Sequence, residues 1–183
     1  FLDHHVQLWR YIHLWRLKFK IIMHKNLDDF TSKLTEQLER NYITLKPDWI
    51  IDHICYRVSS EEKYVELKSF FLKDLLIESM VSDRLIASFK LGVPIDVLGQ
   101  SISVLELPAP KKGKDTPEGY EHIEIVCTET FEDLISLYGH LKLDKKGLSK
   151  KINPELEIEL DTCSIKFHHQ TLESVIEYEK SLE

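Results

Sequence analysis

The sequence predicts an α+β fold in which two copies of a βαβββ unit join into one cup-shaped mixed sheet with helices on its outside. Three observations carry that prediction. The triplet Asp52-His53-Ile54 returns as Glu121-His122-Ile123, each time an acid, a histidine and an isoleucine at the head of a strand that leads into a helix. Around each triplet the apolar residues run through strand, helix and short strands in the same order. Between the copies lies segment 108–119, whose prolines and lysines give it the composition of an exposed linker.

Composition bounds what the chain can be. With 183 residues, 43% of them hydrophobic and 30% charged, it can bury one sizeable core or two small ones sharing an interface. Disorder, collagen and a disulfide scaffold are excluded. A net charge of −7 argues against nucleic-acid binding, which draws its affinity from clustered Lys and Arg, and favours a small-molecule substrate or a protein partner. Cys55, Cys127 and Cys163 are an odd number without CxxC spacing or a secretory leader, which points to buried thiols in a reducing, cytoplasmic compartment. No stretch reaches the roughly 18 uninterrupted apolar residues of a membrane span.

Taken in order, Leu27, Phe30, Leu34 and Leu38 recur at helical spacing, with Asn26 and Asp28 placed to cap a helix over 27–41. Trp49 to Val58 reads as a strand, and Glu61 to Leu75 as a helix with Tyr64, Leu67, Phe71 and Leu75 on one face. Strands follow at Leu76 to Met80, Leu85 to Leu91 and Ile102 to Leu107, separated by turn signals at Ser82-Asp83 and Gly92-Val93-Pro94. The second unit repeats the order with a strand at Glu121 to Cys127, a helix at Phe131 to Leu141, and strands at Glu155 to Leu160 and Cys163 to His168. Thr171 caps a C-terminal helix over 171–182. The units thus span about 48–110 and 118–170 of a single domain over 23–183.

Residues 1–22 do not match the rest. They carry two of the three tryptophans and a charge of +3 from Arg10, Arg16, Lys18 and Lys20 against Asp3, which leaves −10 for the remainder. They read as a non-native extension ahead of Met23. A membrane-surface amphipathic helix is the rival reading.

The strand faces point to chemistry. Side chains alternate across a strand, so His53, Cys55 and Arg57 share one face while Ile54, Tyr56 and Val58 take the other, and His122 and Glu124 oppose Ile123 and Ile125. With the apolar set on the helices, His53, Arg57, His122 and Glu124 gather on the opposite, concave face. Glu106, Lys166 and His168 reach the same side from the last strand of each unit. Imidazoles and carboxylates drawn from several strands are the ligand set of a divalent metal, and two His with one carboxylate suit Fe(II), Mn(II) or Zn(II). Arg57 either pairs with Glu124 or grips an anionic substrate group. Cys55 reads as a structural thiol, and His24, His140 and His169 as ordinary hydrogen-bonded residues.

Six motifs extend the reading: Asp52-His53-Ile54 with Arg57, Phe89-Lys90-Leu91, Ser103-Val104-Leu105-Glu106-Leu107-Pro108, Glu121-His122-Ile123-Glu124, Asn153-Pro154 and Ile165-Lys166-Phe167-His168. In this order, across about residues 27 to 180, they resemble the YecM-like family. That family is similar to the vicinal-oxygen-chelate superfamily of glyoxalases, extradiol dioxygenases, epimerases and bleomycin-resistance proteins, whose paired βαβββ units close a cup around a metal. The resemblance implies His53 and Glu106 as first-strand and last-strand ligands of the first unit, and His122 as first-strand ligand of the second. At the fourth position the pattern departs. Aligning Leu105 with Ile165 and Leu107 with Phe167 sets Lys166 where superfamily enzymes carry a carboxylate, and a protonated Lys is no ligand. His168, two residues on, substitutes for it, or Lys166 serves as substrate anchor, or as a base if burial lowers its pKa.

The expectation is therefore a metal-dependent enzyme of isomerase, lyase or dioxygenase type, using Fe, Mn, Zn or Ni on a small oxygenated substrate. His53, His122, Glu106 and His168 hold the ion, Glu106 or Glu124 moves a proton, and Arg57 and Lys166 bind substrate. The alternative is a non-catalytic module that uses the same cup without metal to hold a small molecule or protein. The basic loop at Lys111 to Lys114 is a weaker candidate for a protein contact. The chain is expected as a monomer or homodimer.

Overall fold

A computed structural model describes residue 23 and residues 25–182; the expected extension over 1–22, and His24, lie outside the described residues. Helix α1 (residues 25–40) aligns Leu27, Phe30, Leu34 and Leu38 on one buried stripe. The first unit runs β1 (Ile50–Arg57), α2 (Glu61–Phe70), β2 (Leu75–Val81), β3 (Arg84–Val97) and β4 (Gln100–Pro108). The second runs β5 (Gly119–Val126), α3 (Phe131–Tyr138), β6 (Lys142–Asp144), β7 (Leu156–Glu159) and β8 (Ser164–His168), and α4 (Leu172–Lys180) follows. Side chains of Ser60, Thr130 and Thr171 accept from backbone N–H groups three residues on and so start α2, α3 and α4.

All eight strands form one mixed sheet in the order β2-β3-β4-β1-β5-β8-β7-β6. Within each unit the first strand lies parallel to the last, β1 with β4 and β5 with β8, and the units join through the antiparallel pair β1–β5. The fold is α+β, built from two βαβββ units.

Three details differ from the sequence reading. Helix α2 stops at Phe70, and Leu72–Asp74 tightens into a 3-10 turn that feeds β2. Gly92-Val93-Pro94 does not end a strand: β3 continues to Val97 with a register slip between Lys90 and Ile95, an irregular stretch in which the ladder spares the missing N–H of Pro94. The turn that follows falls instead at Leu98-Gly99, where both residues have positive φ, as do Ser82 and Asp83 in the β2–β3 turn. Strand β6 went unforeseen because three residues are too few to show a two-residue period.

Helices α1, α2 and α3 supply the apolar core together with Ile54, Tyr56, Leu105, Leu107, Ile123, Ile125, Ile165 and Phe167 of the sheet. Trp49 meets Phe167 edge-on at 5.0 Å, and Tyr138 stacks on the same ring at 6.3 Å. Each large side chain buried in this way contributes about 1.5–3 kcal/mol. Helix α4 departs from the expected outer position. Its Glu173 pairs with Lys90 at 2.6 Å, and Lys90 shares the face of Glu106, because Ser88 pairs with Glu106 and Lys90 with Val104. Val175 and Ile176 of α4 are buried outside the main core. Among the described residues no helix is long and apolar enough to cross a membrane.

Candidate functional site

Two β-bulges build the site. Across β1–β5, Ile51 faces Ile125 and His53 faces Glu124, which leaves Asp52 as an extra residue on β1; Cys55 faces His122 and Tyr56 faces Tyr120, which leaves Glu121 extra on β5. A bulge breaks the alternation and re-aims side chains. Here it brings each acid alongside the histidine that follows it. His53 Nδ1 lies 2.9 Å from Asp52 Oδ2, and His122 Nδ1 lies 3.2 Å from Glu121 Oε2. An ionised carboxylate only accepts, so Nδ1 of each ring carries a proton, and Nε2 is turned to the site.

Glu124 is the hub. One oxygen lies 3.1 Å from both His122 Nε2 and Lys166 Nζ. The other lies 3.2 Å from His53 Nε2 and accepts a short hydrogen bond from His168 Nε2. The three histidines and Glu124 are all buried. Burial works against ionising Glu124, but His53, Lys166 and the hydrogen-bonded rings hold its pKa well below the ordinary carboxylate range. Burial likewise opposes charge on His53, and there Glu124, Asp52 and Glu106 prevail, raising the ring to about 10. Lys166 follows the same logic: Glu124, Glu106 and Glu155 outweigh desolvation and keep the ammonium protonated well above its usual range. Lys166 therefore does not have the lowered pKa that a general base requires.

The sequence-predicted residues separate into two groups. His53, His122, Glu106, Glu124, Lys166 and His168 converge around Glu124, with Glu106 3.8 Å from His53 Nε2. Lys166 pairs with Glu124 on β8 as Glu106 pairs with Cys55 on β4, so it occupies the position corresponding to Glu106. Arg57 stands apart. It forms its ion pair with Glu121, not Glu124, through the carboxylate whose other oxygen holds His122. Burial pushes the Cys55 thiol up, as expected of a structural cysteine, although its sulfur lies near Glu106 and His122. His169 Nε2 donates to the Glu129 carbonyl oxygen, 2.8 Å away, and His140 is exposed.

Glu155 escaped the sequence reading. The strand expected from Glu155 begins only at Leu156, so Glu155 sits just before β7, with Oε2 3.8 Å from His168 Nε2 and 2.5 Å from Lys150. Gly147 makes room for it, since a Cβ there would collide with the Glu155 side chain and lie 2.8 Å from its carbonyl oxygen.

Among the described residues three sets of donor atoms lie close enough to share an ion: His53, Glu106 and Glu124; Glu124, Glu155 and His168; and Cys55, Glu106 and His122. The first fits a divalent metal best. His53 Nε2 is buried without a hydrogen-bond partner and lies between two carboxylates, and one imidazole with two carboxylates suits Mn(II), Fe(II) or Zn(II).

The family described as "YecM protein" matches residues 20–153. Protein YecM of Escherichia coli (strain K12) is 30% identical over 173 residues, covering 85% of this chain and 92% of that protein. An uncharacterised protein of Haemophilus influenzae is 38% identical over 78 residues, or 42% of this chain and 41% of its own length. The solved structure of a structural-genomics protein, EC4020, has 28% identity and a TM-score of 0.74 over 86% of this chain and 91% of that one. Matches of this length show that the chain belongs to the YecM family.

Proposed function

We propose that this protein is a divalent-metal-dependent enzyme of the vicinal-oxygen-chelate type acting on a small oxygenated substrate, in an isomerase, lyase or dioxygenase-like reaction. The observation that carries the reading is Nε2 of His53, buried without a hydrogen bond of good geometry between a Glu106 oxygen at 3.8 Å and a Glu124 oxygen at 3.2 Å. His53, Glu106 and Glu124 are the proposed core of the ligand set, with His122 and His168, both on Glu124, within reach of the same centre. A divalent ion held there supplies Lewis acidity towards two substrate oxygens.

The chain's own residues supply the rest. Asp52 and Glu121 hold Nδ1 of the two strand-head histidines protonated, which leaves Nε2 as the atom that would face an ion. Lys166, protonated and held against Glu124, is a fixed positive charge in the site and suits an oxyanion of the substrate. Glu106 is the candidate to move a proton, being more open to solvent than Glu124 and making fewer contacts with cations. Glu124, strongly ionised among its partners, is the weaker base of the two. Arg57, committed to Glu121, would assist substrate binding only at the margin.

A second reading has its own support. Glu124 is already compensated by Lys166 and three imidazoles, so the cluster balances its charge without an ion and could serve a metal-free binding module. Metal content by mass spectrometry on the purified protein decides between them. Near-stoichiometric Fe, Mn, Zn or Ni that disappears in His53→Ala supports the enzyme, with His122→Ala reporting whether the second strand-head histidine is a ligand. Protein that is metal-free and takes up none of these ions favours the binding module.

A further inference from the structure

Helix α4 crosses the polar face. It starts over β1, where the Leu172 N–H donates to Asp52 Oδ2 at 2.8 Å. Glu173 then pairs with Lys90 of β3, and Lys180 donates to the Leu76 carbonyl of β2 at 3.2 Å. Nine helical residues span about 14 Å, close to the three strand spacings of about 4.8 Å between β1 and β2. The helix thus lies across the first unit with Val175 and Ile176 buried beneath it.

Its anchor is also part of the site. The Asp52 oxygen that accepts from Leu172 is the same oxygen that lies 2.9 Å from His53 Nδ1. We propose that Asp52 is a positioning residue that straps α4 across the first unit and, through one carboxylate oxygen, fixes the ring of His53, so that the docking of α4 and the aim of the candidate ligand rise and fall together. The coupling to metal rests on the proposed role of His53; the strap itself does not. Because coupling between two sites is reciprocal, loosening either end weakens the other.

The fold offers a narrow test. Leu172 is the first residue of α4, where proline is sterically accepted, and Thr171 before it has φ −69° and ψ 149°, the region a pre-proline residue prefers. Leu172→Pro therefore removes the anchoring N–H with little else, and Leu172→Ala, which keeps the N–H but loses the side chain, is its control. Three readouts are taken on the full chain: hydrogen exchange of the amides of residues 175–180 without metal, the His53 Nδ1–H proton resonance, and affinity for Mn(II) and Zn(II) by calorimetry.

We expect exchange about tenfold faster in Leu172→Pro than in Leu172→Ala, and in Asp52→Ala than in wild type. Asp52→Asn, which keeps an oxygen acceptor, should restore most of the protection. The ring-proton signal should broaden, and metal affinity fall about tenfold, in Leu172→Pro and Asp52→Ala. Equal exchange in Leu172→Pro and Leu172→Ala overturns the strap. Faster exchange with an unchanged ring signal overturns the coupling to His53. If the wild type takes up neither ion, the metal-dependent reading falls, while the exchange and ring-proton results still support or overturn the strap and its coupling.

Discussion

Glu124 stands opposite His53 across the β1–β5 pair as Cys55 stands opposite His122. Each also neighbours the last-strand position of its own unit, Cys55 beside Glu106 and Glu124 beside Lys166. The duplicated backbone thus offers the same three places twice, with a histidine in the first of them both times and different residues in the other two. A thiol beside a carboxylate occupies one half, a carboxylate beside an ammonium the other. The contacts of all three buried imidazoles converge on the second half's carboxylate, so the chemistry is lopsided although the frame is symmetric.

Glu124→Gln should be the most damaging conservative change in the site. It removes the one negative charge shared by His53, His122, His168 and Lys166. Breaking a buried ion pair in this way typically costs about 3–5 kcal/mol, measurable by urea denaturation, and any bound divalent ion should go with it. A variant as stable as wild type would show that other groups carry the compensation.

The pH dependence has a definite sign. His53 has a folded-state pKa of about 10 against 6.5 for an ordinary histidine, so its contribution to stability is complete below pH 6.5 and is lost as pH rises towards 10. Metal-free protein should therefore lose stability across that window, and His53→Gln should flatten the curve. Metal loading at pH 7 should release about one proton from this ring, seen by calorimetry in buffers of different ionisation enthalpy.

Lys166→Met should tighten metal binding by about tenfold, because it removes an ammonium 3.1 Å from a Glu124 oxygen that would otherwise face the ion. Calorimetric titration with Mn(II) checks this. An unchanged or weaker affinity would show that Lys166 supports the ligand geometry instead of opposing the cation.

Gly147→Ala tests the placement of Glu155. The added methyl meets the Glu155 side chain and lies 2.8 Å from its carbonyl oxygen, so the β6–β7 connection must shift. A loss of about 1–3 kcal/mol is expected, together with a change in the His168 ring resonances. Wild-type resonances in the variant would show that Glu155 and His168 do not sense each other.

What the sequence makes legible follows from local pattern. Leu27, Phe30, Leu34 and Leu38 declare a helix face, and Ile54 and Ile123 declare strand faces, because burial imposes a fixed period on each element. Lys166 falls opposite the place of Glu106 because the apolar residues Leu105 and Ile165 hold equivalent registers beside Ile54 and Ile123. Strict alternation, however, assigns Asp52 and Glu121 to the helix side, and only the bulges return them to their histidines. Glu155, expected as the first residue of a strand, lies one residue ahead of β7, and no repeat or motif singles it out. For α4, the apolar spacing of Leu172, Val175 and Ile176 announces a buried stripe but not which side of the sheet it covers. That choice is made by single contacts far apart in the chain, such as Lys90 with Glu173.

The crossing of α4 also protects the molecule's margin. At one border of the sheet β6 has three residues, too short to recruit another strand, whereas β2 at the opposite border has seven and leaves Met80 and Val81 exposed. An open strand of that length is a template for pairing with a second chain. Lys180 occupies the Leu76 carbonyl on this border and brings a charge to it. A chain cut before Leu172 should therefore self-associate through β2 as its concentration rises, and sedimentation would detect it. On this reading the C-terminal helix would guard the β2 border against pairing, besides anchoring on Asp52 beside His53.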